Sequence, residues 1–155
     1  MSASRLQERV PSAKRIGLYF LKAHDLRFHK ISKKDGSGKC DAYFTNKAND
    51  IVMGTLFEIS PDEKVTLDKA EGLGYGYNEK EVVLKSEAGD EVKAITYYAT
   101  KIDKSFKPYS WYLNHVLIGA KESQLPIEYI DKIQSTESIE DKDKDRDARE
   151  RAIHS

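Results

Sequence analysis

Cysteine is almost absent: Cys40 is alone in 155 residues. An internal disulfide and a cysteine-rich zinc site are thereby excluded. The four histidines show no His-x-x-x-His or similar ligand spacing, so no metal site and no cofactor is expected. An excess of one charge is also lacking, since 26 basic and 26 acidic residues leave a formal net charge of +0. Without long-range attraction to phosphate backbones or anionic lipid, neither nucleic acid nor a membrane surface is an expected partner. No stretch approaches the ~18 consecutive apolar residues that span a bilayer, and residues 1–20 carry no signal-type apolar segment. A cytoplasmic protein is expected from these absences, and its length suits a single core.

What is present reads as alternating strands and helices. Ser4 with Gln7 has capping-box spacing and predicts a short helix over 4–10, stopped by Pro11. Alternation of Ile16, Leu18 and Phe20, then of Leu26 and Phe28, predicts β-structure around a turn at 23–25. Residues 32–39, with two glycines and three lysines, read as a mobile loop, and strands at 41–45 and 51–59 as a hairpin turning at 46–50. Ser60-Pro61-Asp62-Glu63 is the clearest helix start, with Ser60 as N-cap and Glu63 completing a capping box. That helix should reach about Ala70 and stop at Gly72. Strands are expected at 81–85 and 92–99 around Ala88-Gly89-Asp90, then helices at 109–121 and from Leu125-Pro126-Ile127. Residues 135–155 are dominated by Glu, Asp, Lys and Arg and read as a charged, disordered tail after a domain over 1–134. The order of elements indicates α+β with a largely antiparallel sheet.

Glu71 stands out chemically. It closes the helix at the end where the macrodipole disfavours a carboxylate, and it lies four residues after Leu67, hence on the inward face. A carboxyl group housed near the core beside Gly72, Gly74 and Gly76 suits a general acid/base, the competing reading being a surface glutamate at a frayed helix end. The glycines follow a helix and precede a strand, the reverse of a nucleotide-binding turn, so they are read as positions of positive φ or close approach. Cys40 with His24, His29 or His115 as a thiol nucleophile and base is weighed against a small buried hydrophobe, the more usual role. Tyr97, Tyr98, Tyr109, Trp111 and Tyr112 read first as packing material.

Four segments together resemble the γ-glutamylcyclotransferase family: Pro11-Ser12-Ala13, the strand Val52 to Ile59, Leu67-Asp68-Lys69-Ala70-Glu71-Gly72, and Gly119 to Tyr129. The resemblance covers residues 1 to about 134. It implies a small, mixed and largely antiparallel β-barrel flanked by helices. It also implies a small-molecule γ-glutamyl substrate, with oligomeric state left open. Glu71 takes the position of the family's general acid/base, and Tyr112, four residues after Pro108, that of a substrate-contacting tyrosine. Tyr109 and Ser110 depart from the family's order after that proline. Relative to the family, the first strand and its Tyr-Gly-Ser-Asn loop are expected to be missing ahead of Met1. Two readings follow: a γ-glutamylcyclotransferase releasing 5-oxoproline, or a catalytically inactive binding or structural module with the same fold.

Overall fold

The structure is a computed structural model that describes residues 3–155, with side chains from residue 5 onward. The side chain of Ser4, the expected cap, lies outside the described residues. Helix α1 (Ala3–Arg9) is followed by β1 (Lys14–Lys22), β2 (His24–Ile31), β3 (Gly38–Phe44) and β4 (Ile51–Glu58). A 3-10 turn (Pro61–Glu63) opens into α2 (Lys64–Glu71), then come β5 (Tyr77–Lys85), β6 (Glu91–Ala99), α3 (Ser110–Glu122), α4 (Ile127–Gln134) and α5 (Lys144–Ala152). The architecture is α+β with antiparallel pairing throughout both sheets, ordered β4-β1-β5-β6 and β2-β3.

The expected hairpin between the strands at 41–45 and 51–59 does not form. The reversal lies one loop earlier, at residues 32–37, where Ser32 and Gly36 amides donate to Ser37 and Ser32 carbonyls. β2 pairs with β3 directly across that turn, and β1 pairs with β4 as the continuation of the same two legs. Both legs bend together: Ala23, with φ 61°, breaks one, and its carbonyl accepts from Thr45 and Asn46 where the other turns. The turn is fixed rather than mobile. Ser37 is buried, and Asp35 accepts from Ser37 and Lys39. Hydrogen bonds from Ser37 and Lys39 hold the Asp35 carboxyl at about 2 despite its burial.

No closed barrel results. β1 and β5 share the single pair Phe20↔Lys85, so the β4-β1 and β5-β6 halves of the sheet meet at one end only. Helices α3 and α4 cover the ribbon and β4 through a core of Phe28, Leu113, Ala120, Tyr129, Ile130 and Ile133. A second cluster of Leu6, Val10 and Ala13 packs the α1 end of the chain against Phe57 of β4, Ile59 just after it, and Leu67 of α2.

The helix start at Ser60 differs in detail from its sequence signature. Ser60 makes no side-chain cap, and Glu63 accepts instead from the backbone and hydroxyl of Ser12, whose hydroxyl oxygen in turn accepts from the Ser60 amide at 2.9 Å. A tertiary partner has replaced the local capping box. Pro126 likewise sits at the N-cap of α4, just outside its first turn.

Residues 135–155 are ordered, against the expectation of a tail. Ile139 bridges to Tyr109, and α5 follows an Asp143 cap that accepts from Arg146 N at 3.0 Å. The anchor is Asp141, 0 % exposed, which accepts from Trp111 Nε1 at 2.9 Å and from Arg146 Nε and Nη2 at 2.6 Å each. Composition misjudged this segment because one saturated carboxylate supplies what apolar burial does not.

Candidate active site

α2 ends where the sequence says it must. Gly72 takes φ 77° and ψ 34°, and its amide and that of Leu73 return to the last carbonyls of the helix, closing it at Glu71. Gly74 and Gly76 also have positive φ, 82° and 107°, a backbone conformation that residues with side chains rarely adopt, and the end of the Lys30 side chain lies close against Gly76. The loop thus returns closely on β2, and Tyr77 at its end reaches across to donate to the Cys40 carbonyl at 2.7 Å.

Where the two halves of the sheet part, a cavity of about 1110 Å³ opens. Its floor is apolar, formed among others by Leu21, Met53, Val82 and Leu84. Glu71, Tyr77, Cys40, Asp41, Ala42 and Tyr112 gather on its wall. Glu71 is partly buried, and no hydrogen-bond donor among the described residues reaches its carboxylate. Burial lifts its carboxyl above the ordinary glutamate range, and the nearby charges of Arg9 and Arg5 offset only part of that rise. A frayed surface position is not what the structure has at this helix end.

Tyr112 lies beneath the same wall. Its hydroxyl oxygen accepts from Cys40 N at 3.0 Å, so Tyr77 and Tyr112 together hold both backbone groups of Cys40. Burial pushes the Tyr112 and Tyr77 hydroxyls far up, which keeps both protonated. Burial also pushes the Cys40 thiol up to about 11. A thiol so placed is poorly ionised near neutrality, and neither His24 nor His29 hydrogen-bonds to it. His29 is engaged with Asp41 at 2.7 Å, whose other oxygen accepts from Ala99 N. His115 is held by His154 and Glu150 of the C-terminal segment.

The aromatic residues divide between two places. Tyr109 at the N-cap of α3 and Trp111 and Tyr112 in its first turn pack in sequence, Trp111 against both, whereas Tyr97 of β6 donates to Asp68 of α2 at 2.6 Å. Sequence reading did not single out Tyr77 or Arg9. For Arg9 a signal existed, since Arg5 and Arg9 are four apart and share one face of α1, beside the Leu6–Val10 pair that is buried.

The structure thus sets a half-buried carboxyl group beside a largely apolar cavity in an antiparallel α+β frame. The AIG2-like family model matches residues 51–133, more than half of the chain, and the chain belongs to that family. It is 34% identical over 89 residues to a γ-glutamylcyclotransferase of Bos taurus, covering 57% of this chain and 47% of the relative. Against the Homo sapiens γ-glutamylcyclotransferase the identity is 32% over 89 residues, with the same coverage of 57% and 47%. The chain spans about half the length of the curated relatives it matches. A solved γ-glutamyl cyclotransferase structure superimposes with a TM-score of 0.81 at 25% identity, over 89% of this chain and 83% of that one. The resemblance read from the sequence is borne out at the level of family and fold.

Proposed function

We propose that this chain is a γ-glutamylcyclotransferase with Glu71 as its general acid/base. The Glu71 carboxylate takes a proton from the substrate α-ammonium, and the freed amine attacks the γ-carbonyl carbon of the same molecule. A C–N bond forms and closes a five-membered ring through a tetrahedral oxyanion. Glu71 then returns the proton to the leaving nitrogen, the ring nitrogen gives up its second proton to solvent, the original amide C–N bond breaks, and 5-oxoproline and an amino acid or amine are released, the amine taking up a proton from solvent. Because both reacting groups belong to one molecule, ring closure supplies high effective molarity and needs no covalent nucleophile. One carboxyl group suffices for the proton transfers. Tyr112 is the proposed substrate-contacting residue, its hydroxyl fixed under the cavity wall by Cys40 N.

One observation supports this reading above all: a carboxyl group raised above its ordinary range stands unpartnered, among the described residues, on the wall of a cavity large enough for a dipeptide. A base poised closer to neutrality is what abstraction of an ammonium proton calls for. The experiment is to incubate the purified chain with a panel of γ-glutamyl amino acids and amines and follow 5-oxoproline by NMR. Time-dependent 5-oxoproline is the expected result. A folded protein that binds a γ-glutamyl amino acid but never converts it would instead make this a binding module.

A further inference from the structure

We infer that Arg9 binds a carboxylate of the ligand in the Glu71 cavity, so that the chain selects γ-glutamyl compounds with a free α-carboxylate; this rests on the cyclotransferase reading above. Arg9 lines the same cavity as Glu71. Its place is set by packing, because Leu6 of α1 and Val10 immediately after it are buried in the cluster that includes Leu67 of α2, the helix that ends in Glu71. Guanidinium and carboxyl are therefore carried on two helices locked to each other.

The other arginines with resolved partners are committed elsewhere: Arg27 to Asp25, Arg146 to Asp141 and Arg151 to Asp147. Lys64, a second cation on the cavity wall, is held by Asp68 and Glu79. Arg9 makes no ion pair or hydrogen bond among the described residues, and the charge it feels across the cavity is that of Glu71. No ion pair joins Arg9 to Glu71 among the described residues, although both line the cavity. Arg5 stands one turn earlier on the same face and adds to the positive field.

The chemistry of the substrate makes this position informative. Its α-amine and α-carboxylate are attached to one carbon, so whatever holds the carboxylate must lie beside the base that receives the amine's proton. A carboxylate brought next to ionised Glu71 would be repelled unless a cation neutralises it. A guanidinium does so with a planar fork that fits carboxylate geometry, which also fixes the amine relative to Glu71.

The test compares wild type, Arg9→Gln and Arg9→Lys on a γ-glutamyl amino acid and on its α-carboxamide analogue, with calorimetric titration of glutarate alongside. For Arg9→Gln, KM for the free acid should rise about tenfold to a hundredfold with a much smaller change in kcat, as expected for loss of a charge-assisted hydrogen bond. Arg9→Lys should fall between. Wild type should prefer the free acid over the carboxamide, and Arg9→Gln should lose that preference, which a purely structural role would not produce. An unchanged KM, or a preference that survives the substitution, overturns the inference while leaving turnover intact. A change confined to the pH profile overturns it too, because Arg9 would then act only on Glu71. If wild type converts no γ-glutamyl compound, the functional reading fails on its own account. Glutarate binding lost in Arg9→Gln then still supports the carboxylate site, and absence of glutarate binding to wild type removes it.

Discussion

Replacing Asp141 by alanine tests whether residues 135–155 are part of the fold. The carboxylate is fully enclosed and takes four donors: Trp111 Nε1, Arg146 Nε and Nη2, and Asp143 N at 2.9 Å. Its removal orphans the indole N–H of Trp111, itself 6% exposed, at a cost of ~1–3 kcal/mol. The share of Arg146 is discounted because its side chain is 24% exposed and can return to water. A net loss of about 2–3 kcal/mol follows, and at ~2–4 °C per kcal/mol for a chain of this size the midpoint should drop by roughly 4–12 °C. Thermal unfolding followed by circular dichroism measures it. Lys142→Ala, at an exposed neighbour, serves as the control within about ±0.5 kcal/mol. The hydrogen bonds from Arg146 hold the Asp141 carboxyl well below the 3.8 of an ordinary aspartate. Its contribution should therefore be complete above pH 3.8 and be lost as pH falls through the lower folded-state value. An unchanged midpoint in Asp141→Ala would mean that the segment is an appendage and that the network contributes nothing.

Gly38→Ala should destabilise more than an ordinary glycine substitution in a strand, because a Cβ there would stand 2.1 Å from the Phe28 carbonyl oxygen with Lys107 backbone 3.3 Å away on the other side. Overpacking against backbone costs roughly 1–3 kcal/mol, so denaturant midpoints should fall with unchanged slope. Tyr112→Phe removes the acceptor for Cys40 N and should cost about 1 kcal/mol in the same assay while reducing turnover. Turnover equal to wild type in that variant would take Tyr112 out of the site. Glu71→Gln should raise the melting temperature at neutral pH. The folded-state carboxyl lies above its unfolded value, so its ionisation costs stability as pH rises through the folded pKa, and Gln escapes that cost.

Local signals carried the elements, and partners decided the rest. Gly72 after Glu71, Pro126 before α4 and Ala88-Gly89-Asp90 between β5 and β6 each announce a terminus through backbone geometry that only a few residue types adopt. Strand pairing was not legible in the same way. Residues 46–50 look as much like a hairpin turn as residues 32–37 do, and the choice was made by β1 and β4 extending the β2-β3 ladder around the bend at Ala23. Barrel closure came from resemblance, and the single β1-β5 pair does not provide it.

Within the candidate site, Glu71 was legible because helix end and inward face coincide at one residue. Tyr77 was not, since its reach to the Cys40 carbonyl depends on how closely the glycine loop returns to β2. Asp141 was hidden by its charged surroundings. Yet the acids of the first turn of α5, Asp145 and Asp147, and the bases of its last, Arg149 and Arg151, follow the order that the helix dipole favours.

The most direct test of the account is 5-oxoproline release by Glu71→Gln beside wild type, measured across pH with substrate binding monitored in parallel. Gln keeps the shape of the side chain and cannot transfer the proton, so kcat should fall by ~10²–10⁴-fold while binding persists. The acid limb of the wild-type profile should be displaced upward from the 4.5 of an ordinary glutamate and be absent from any residual activity of the variant. Undiminished turnover by Glu71→Gln, with the acid limb in place, would contradict the assignment of Glu71 as the general acid/base.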